Sequence, residues 1–279
     1  GLRDQFQVMA PAPTLTLSLE RRNAARGGAD GRSTTRENYL LRLESITRGA
    51  VVTEQDSRGP PEALNRALDE LNTLLPGEES LIDRYDAFRA RFQVPSDRLS
   101  RVFDLAIAEC RSRTLQHAGL PPGESFTVEY VRDKSWSGYN WYQGNYRSLI
   151  QVNVDLPIYI DRAIDLACHE GYPGHHVYNA LLEKNLMRDR GWVEASVYAL
   201  FSPQSMIAEG TANYGIEVAF PRAERLELER RVLFPGAGLN PENAAQYYDV
   251  MALVDKLSYA GNEAARRYRD GRIDAKAAA

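Results

Sequence analysis

Three of the four histidines in this 279-residue chain lie within eight residues, and Pro173 and Gly174 separate them. His175 and His176 come six and seven residues after His169. On an undisturbed helix, residue seven returns to within about 20° of residue zero, whereas residue six lies about 120° away. A proline followed by a glycine favours a kink or bulge, which would bring His175 to the face of His169. The spacing alone therefore leaves His175 and His176 as equal alternatives.

Histidines beside an acid are typical of a catalytic zinc site, and here Glu170 directly follows His169. Neutral imidazoles bind zinc, and a carboxylate next to the first ligand can act as the base for water on the metal. The spacing differs from H-E-x-x-H, in which the two histidines lie four residues apart on one helical face. The cluster therefore predicts a zinc site of unusual local geometry.

A catalytic zinc usually has three protein ligands, so we expect one more ligand from another helix. His117 is the only other histidine, and its surroundings are typical of a helix end. Glu209 is the better candidate, because it lies in the middle of a predicted helix among small and apolar residues. A carboxylate in such surroundings needs a partner, since burying it without one is costly.

Composition excludes several classes of protein. Hydrophobic residues make up 43% and charged residues 26%, which is ordinary for a globular protein. A net charge of −4 argues against a nucleic-acid partner. No apolar segment is long enough to span a membrane or to form the core of a signal peptide, which favours the cytoplasm. A start at Gly1 rather than Met is also compatible with a removed leader.

The two cysteines, Cys110 and Cys168, do not indicate a disulfide framework. Cys168 precedes His169, but adjacent residues on a helix point about 100° apart and hardly face one metal. We therefore expect Cys168 to be a small buried apolar side chain.

Hydrophobic periodicity predicts a mainly α protein with a small β element just before the histidines. Residues 1–35 are predicted to form a flexible or extended arm, 36–124 a helical part, and 125–279 the zinc-binding catalytic part. The last two parts are expected to form one continuous domain. Phe126–Val131 and Ser148–Val154 have strand patterns, whereas Ser135–Tyr146 is too irregular for a helix.

Further roles are predicted for residues near the cluster. Asp165 lies four residues before His169 and can orient its imidazole, although a solvated acid is an equal alternative. The strand around Ile150–Val154 can align an extended peptide by edge pairing. The aromatic residues Trp136, Trp141 and Tyr142 can line a pocket for that peptide, with simple packing as the alternative.

Two motifs of this chain resemble those of the bacterial DUF885 family, a group of helical, zincin-like proteins regarded as metallopeptidases. The first is His-Glu-x-x-Pro-Gly-His-His at His169–His176, and the second is Glu-Gly-x-Ala-x-Tyr at Glu209–Tyr214. The resemblance extends over about residues 146–269 and includes a late Ser-Tyr element at Ser258–Gly261.

The resemblance implies a zincin-like fold of the gluzincin type. It implies that His169, His175 and Glu209 bind zinc and that Glu170 is the base, and so it favours His175 over His176. Tyr259, in the late element, would donate a hydrogen bond to a developing oxyanion.

These observations predict a zinc-dependent hydrolase, and most simply a metallopeptidase that cleaves a small peptide or amide substrate. Water on the zinc, deprotonated by Glu170, would attack the carbonyl. One alternative is a zinc hydrolase of non-peptide amides or esters with the same residues. The other is a helical binding protein whose metal is not catalytic, but such a site would not need an acid beside its ligand.

Overall fold

The computed structural model describes residues 61–198 and 202–278. The arm predicted at 1–35 lies outside these residues. Within them the protein is mainly helical with one small sheet, as the sequence predicts. The chain forms two compact units. The described residues of one unit are 92–198 and 202–242, and those of the other are 61–91 and 243–278. The predicted division into 36–124 and 125–279 stays a prediction.

The unit that contains residues 61–91 and 243–278 is built from helices. They are α1 (Pro61–Leu74), α2 (Leu81–Ala90), α9 (Ala244–Arg269) and the short α10 (Ala275–Ala278). Helix α1 packs against α9, and Ala67 and Leu71 are buried because residues four apart share one helical face. The rings of Phe88 and Tyr247 stack with their centroids 6.2 Å apart. The sequence predicts two helices where the single helix α9 lies.

The other unit contains the remaining helices and the sheet. Its helices are α3 (Leu99–Thr114), α4 (Ile160–Leu166), α5 (His175–Leu182), α6 (Pro203–Ala219), α7 (Arg222–Leu228) and α8 (Phe234–Ala237). Ser202 followed by Pro203 predicts a helix start, and helix α6 begins there: Ser202 Oγ accepts a hydrogen bond from the Ser205 backbone N–H, and Pro203 occupies the first turn. Among residues 61–198 and 202–278, no helix has both the length and the apolar character needed to cross a bilayer.

The sheet has three strands in the order β1-β3-β2. Strand β1 (Ser125–Val131) pairs with β3 (Arg147–Asn153) in parallel, and β2 (Gly138–Gly144) pairs with β3 in antiparallel orientation. The strand patterns at β1 and β3 are confirmed, whereas β2 lies where only irregular structure was expected. Because β3 is central, the prediction that residues 150–154 offer a free edge to a peptide is wrong.

The two cysteines are bonded to each other, so the expectation of unpaired cysteines is wrong. Cys110 on α3 and Cys168 form a disulfide with their Cα atoms 5.7 Å apart, and both side chains are fully buried. Sequence reasoning missed the pair because the two residues are 58 positions apart and meet only when α3 packs against the segment after α4. The bond anchors the residue directly before His169 to α3.

Replacing both cysteines by alanine is expected to lower the free energy of unfolding by about 2–4 kcal/mol, because the unfolded chain loses a long covalent loop. Urea denaturation under non-reducing conditions measures this difference. Dithiothreitol should destabilise the wild-type protein by a similar amount and leave the double variant unchanged. Two reactive thiols in the unfolded, unreduced wild-type protein would show that the bond is absent.

Candidate metal centre

The helix that carries His169 and Glu170 ends at the predicted Pro-Gly interruption. Helix α4 continues into a π-helical turn at Ala167–Gly171, and the chain then becomes extended at Tyr172. After the cis Tyr172–Pro173 peptide bond and Gly174, helix α5 begins at His175. The interruption is therefore a complete break rather than the kink or single bulge expected from the sequence.

Gly174 allows the two helical segments to approach closely. A Cβ atom at this position would lie 1.9 Å from the His169 carbonyl oxygen and 2.5 Å from that of Cys168. The Gly174 N–H donates a hydrogen bond of 2.9 Å to the Cys168 carbonyl. Any larger residue would push His175 away from His169, so the glycine is a geometric requirement of the cluster.

The break brings together three side chains from separate helical segments: His169, His175 and Glu209. One ligand atom from each lies within 4.8 Å of the others. Glu209 Oε2 is 3.3 Å from His169 Nε2, and Glu209 Oε1 is 3.3 Å from His175 Nε2. The two imidazole rings are nearly perpendicular, with centroids 4.7 Å apart. Both rings therefore direct Nε2 at the same carboxylate.

These distances fit a zinc ion. Ligand atoms at about 2.0–2.1 Å from a tetrahedral zinc are separated from each other by about 3.3 to 3.4 Å. Each imidazole nitrogen lies at this length from one carboxylate oxygen, His169 from Oε2 and His175 from Oε1, and one ligand atom from each of the three residues lies within 4.8 Å of the others. Two imidazoles and one carboxylate are also a ligand set of catalytic zinc sites, in which a fourth position stays open.

The charges within the cluster depend on one another. Burial alone would raise the pKa of Glu209, but the hydrogen bonds and charges of His169 and His175 outweigh it and hold this pKa well below its usual range. Burial would lower the pKa of His169, but Glu209 and Glu170 outweigh it and raise this pKa. The carboxylate thus stays ionised and available as a ligand.

Asn213 orients the first imidazole. Its Oδ1 lies 2.9 Å from His169 Nδ1, and it stands one turn after Glu209 on α6. Because an amide oxygen only accepts, Nδ1 carries a proton, and Nε2 is left as the atom that would bind a metal. The sequence left Asp165 as either an orienting residue or a solvated acid, and in the structure it pairs with Arg225 at 2.8 Å.

Replacing Asn213 by alanine is expected to weaken zinc binding by about 10- to 100-fold, the usual cost of losing an outer hydrogen-bond partner of a ligand. Competition with a chromogenic chelator measures the affinity. Thr211→Ala is the control, because Thr211 is exposed on the same helix and its hydroxyl bonds only to backbone carbonyls. Equal affinities in the two variants would show that Asn213 does not support a ligand.

Glu170 lies beside the cluster, and its carboxylate makes no hydrogen bond or ion pair with any described residue. The side chain is only 6% exposed, and Asn140 Nδ2 donates to the Glu170 backbone carbonyl at 2.7 Å. A Cβ atom on Gly138 would lie 3.1 Å from Glu170 Oε1, so strand β2 passes directly against this carboxylate. The carboxylate therefore lies beside His169 without a partner among the described residues, where water on a bound metal could pair with it.

His176 is directed away from His175 and into the protein interior. The Ser148 hydroxyl donates to His176 Nδ1 at 2.8 Å, and His176 Nε2 donates to Glu124 Oε2 at 3.0 Å. Glu124 also accepts hydrogen bonds from Tyr172 and Arg111. Burial lowers the pKa of His176 despite the neighbouring carboxylate. The structure thus joins His175, and not His176, to His169 and Glu209.

The other predicted residues are not members of the three-residue cluster. His117 is exposed after the end of α3. Tyr259 belongs to helix α9 in the other unit, and its side chain lies outside the described residues. Trp136 and Trp141 pack on the Tyr139 ring, with centroids 5.4 and 4.4 Å away.

Tyr139 was missed by sequence reasoning. Its side chain is 2% exposed, and its hydroxyl has no hydrogen-bond partner among the described residues. Burial raises its pKa, and the charge of Glu170 raises it further, so the hydroxyl stays protonated beside that carboxylate. The missed signal is the buried strand β2, whose mixture of tyrosine, tryptophan and asparagine conceals its pattern.

Comparisons of this chain with family models, with curated proteins and with solved structures gave no match. The functional interpretation therefore depends on the geometry of the cluster and on its motifs.

Proposed function

We propose that this protein is a zinc-dependent metallopeptidase with a zincin-like arrangement similar to that of the DUF885 family. The observation that carries the proposal is the pair of 3.3 Å separations by which His169 and His175 face one carboxylate. An acid without a partner stands directly beside them, at Glu170. A purely structural metal site needs ligands but no such acid.

His169, His175 and Glu209 would hold the metal. When bound, zinc supplies Lewis acidity, which polarises a substrate carbonyl and lowers the pKa of water. Glu170 would accept a proton from the attacking water as the water oxygen bonds to the carbonyl carbon. It would then deliver that proton to the leaving nitrogen as the carbon–nitrogen bond breaks.

Surrounding residues prepare Glu170 for this role. The residue is only 6% exposed, and Asn140 donates a hydrogen bond to its backbone carbonyl. Tyr139 holds a protonated hydroxyl nearby, while Tyr259 stays a prediction as the oxyanion donor. The Cys110–Cys168 disulfide favours action in an oxidising compartment, where such bonds persist, rather than in the cytoplasm.

A diverse peptide library tests this function. Protein stripped by a chelator and protein reconstituted with zinc are each incubated with the library, and products are identified by mass spectrometry. We expect cleavage by the zinc-loaded protein and none by the stripped protein. A panel of esters and non-peptide amides is run in parallel, and hydrolysis confined to that panel would contradict a peptidase.

A further inference from the structure

A small pocket lies between helix α5 and the start of helix α6, and these two helices also carry His175 and Glu209. Asn179, Leu182 and Glu183 line one side, and Tyr142, Met187 and Tyr198 are among the residues that complete it. Asn179 stands one helical turn after His175. Tyr198 donates a hydrogen bond of 2.9 Å to Ser205 Oγ, one turn before Glu209 on α6. One wall of the pocket is therefore formed by the helix that begins at His175, and the other is hydrogen-bonded to the helix that carries Glu209.

Asn179 presents an unused hydrogen-bond donor in this pocket. The side chain is only 6% exposed, and its Nδ2 has no hydrogen-bond partner among the described residues. A buried donor without a partner costs free energy, and a bound water or a ligand acceptor would remove that cost. The occupant must accept a hydrogen bond.

Glu183 and its partners determine whether the hydrogen-bond acceptor in the pocket can carry a charge. Its carboxylate accepts hydrogen bonds from the Tyr142 hydroxyl, from the backbone N–H groups of Asn145 and Tyr146, and from Arg188. Burial alone would raise the pKa of Glu183, but these hydrogen bonds hold it below its usual range. Because Glu183 and Arg188 already form an ion pair, Arg188 is not free to pair with a carboxylate of the occupant.

The size and the other walls restrict the occupant further. The enclosed space admits about one water-sized group. Leu182, Met187 and the Tyr142 ring make its remaining walls largely apolar. A hydroxyl on a short stem fits this combination, whereas a long or acidic side chain does not.

We propose that this pocket receives a short, uncharged, hydroxyl-bearing side chain of the peptide substrate, typically serine, through a hydrogen bond from Asn179. The proposal depends on the proposed peptidase function, because it gives that site a substrate preference. It makes Asn179 a residue that determines specificity without taking part in the bond cleavage.

Binding to a variant without the base tests the pocket separately from catalysis. Zinc-loaded Glu170→Gln protein is titrated by calorimetry with alanine pentapeptides in which each position in turn is replaced by serine, aspartate or leucine. At one position we expect serine to bind about five- to tenfold more tightly than alanine, and aspartate and leucine to bind more weakly. The added Asn179→Leu substitution should remove the serine advantage at that position and leave the other positions unchanged.

The control is Asn185→Leu, because Asn185 is exposed on the turn that follows α5. Asn179→Leu should unfold at no lower temperature than the wild-type protein, since the amide nitrogen has no partner to lose. No peptide binding, or a serine advantage that survives Asn179→Leu, would overturn the proposal and show a site for a structural water only. Peptide binding with the expected preference but no cleavage by the wild-type protein would instead contradict the peptidase function.

Discussion

Glutamine in place of Glu170 is expected to lower peptide turnover by about 10²- to 10⁴-fold while zinc binding stays unchanged. The substitution keeps the size of the side chain but removes its capacity to accept a proton. Glu170 is not one of the three groups whose ligand atoms converge, so the metal should be retained. Steady-state kinetics on the best library peptide measures turnover, and elemental analysis measures zinc in the same preparation.

The control for this experiment is Glu217→Gln, because Glu217 is exposed on helix α6. It should hydrolyse the peptide like the wild-type protein. If Glu170→Gln keeps its zinc and cleaves at the wild-type rate, Glu170 is not the base. A loss of both zinc and turnover would also contradict the separation of roles, because it would make Glu170 part of the metal site.

Alanine in place of Glu209 should have the second large effect, which is loss of the metal. Among residues 61–198 and 202–278, Glu209 is the only carboxylate that both imidazoles face, at 3.3 Å each. Its removal leaves two neutral nitrogens without a charged ligand. The fall in zinc affinity should exceed the roughly 10- to 100-fold cost that is typical of outer partners such as Asn213. Chelator competition measures the affinity, and turnover should disappear with the metal.

Glu217→Ala provides the matched control, since it removes an exposed carboxylate eight residues later on the same helix. Its zinc affinity should equal that of the wild-type protein. Zinc retained at full stoichiometry and unchanged affinity in Glu209→Ala would contradict the assignment of the third ligand.

Much of the helical framework follows from local sequence signals. The start of α6 was predictable because Ser202 and Pro203 form a local cap, which depends only on neighbouring residues. The partners of Glu209 in the cluster were expected, because an acid among small residues in a helix needs a partner. These signals act over one or two turns and need no knowledge of distant contacts.

Features that depend on distant contacts could not be predicted. Strand β2 is stabilised by pairing with β3 rather than by its own alternation. The disulfide joins residues 58 positions apart. Neighbouring residues also could not show which of His175 and His176 joins the cluster, because the distant residues Ser148 and Glu124 hold His176 in the interior. Spacing alone left the two histidines equal, and the motif resemblance favoured His175 without a physical reason.

The most direct test of the metal centre is the zinc stoichiometry of His175→Gln compared with His176→Gln. Both proteins are stripped with a chelator, reconstituted with zinc, dialysed and assayed by elemental analysis, with near-ultraviolet circular dichroism to verify folding. We expect the His176 variant to retain one zinc per chain and the His175 variant to retain almost none. Full zinc occupancy in folded His175→Gln would contradict the centre formed by His169, His175 and Glu209.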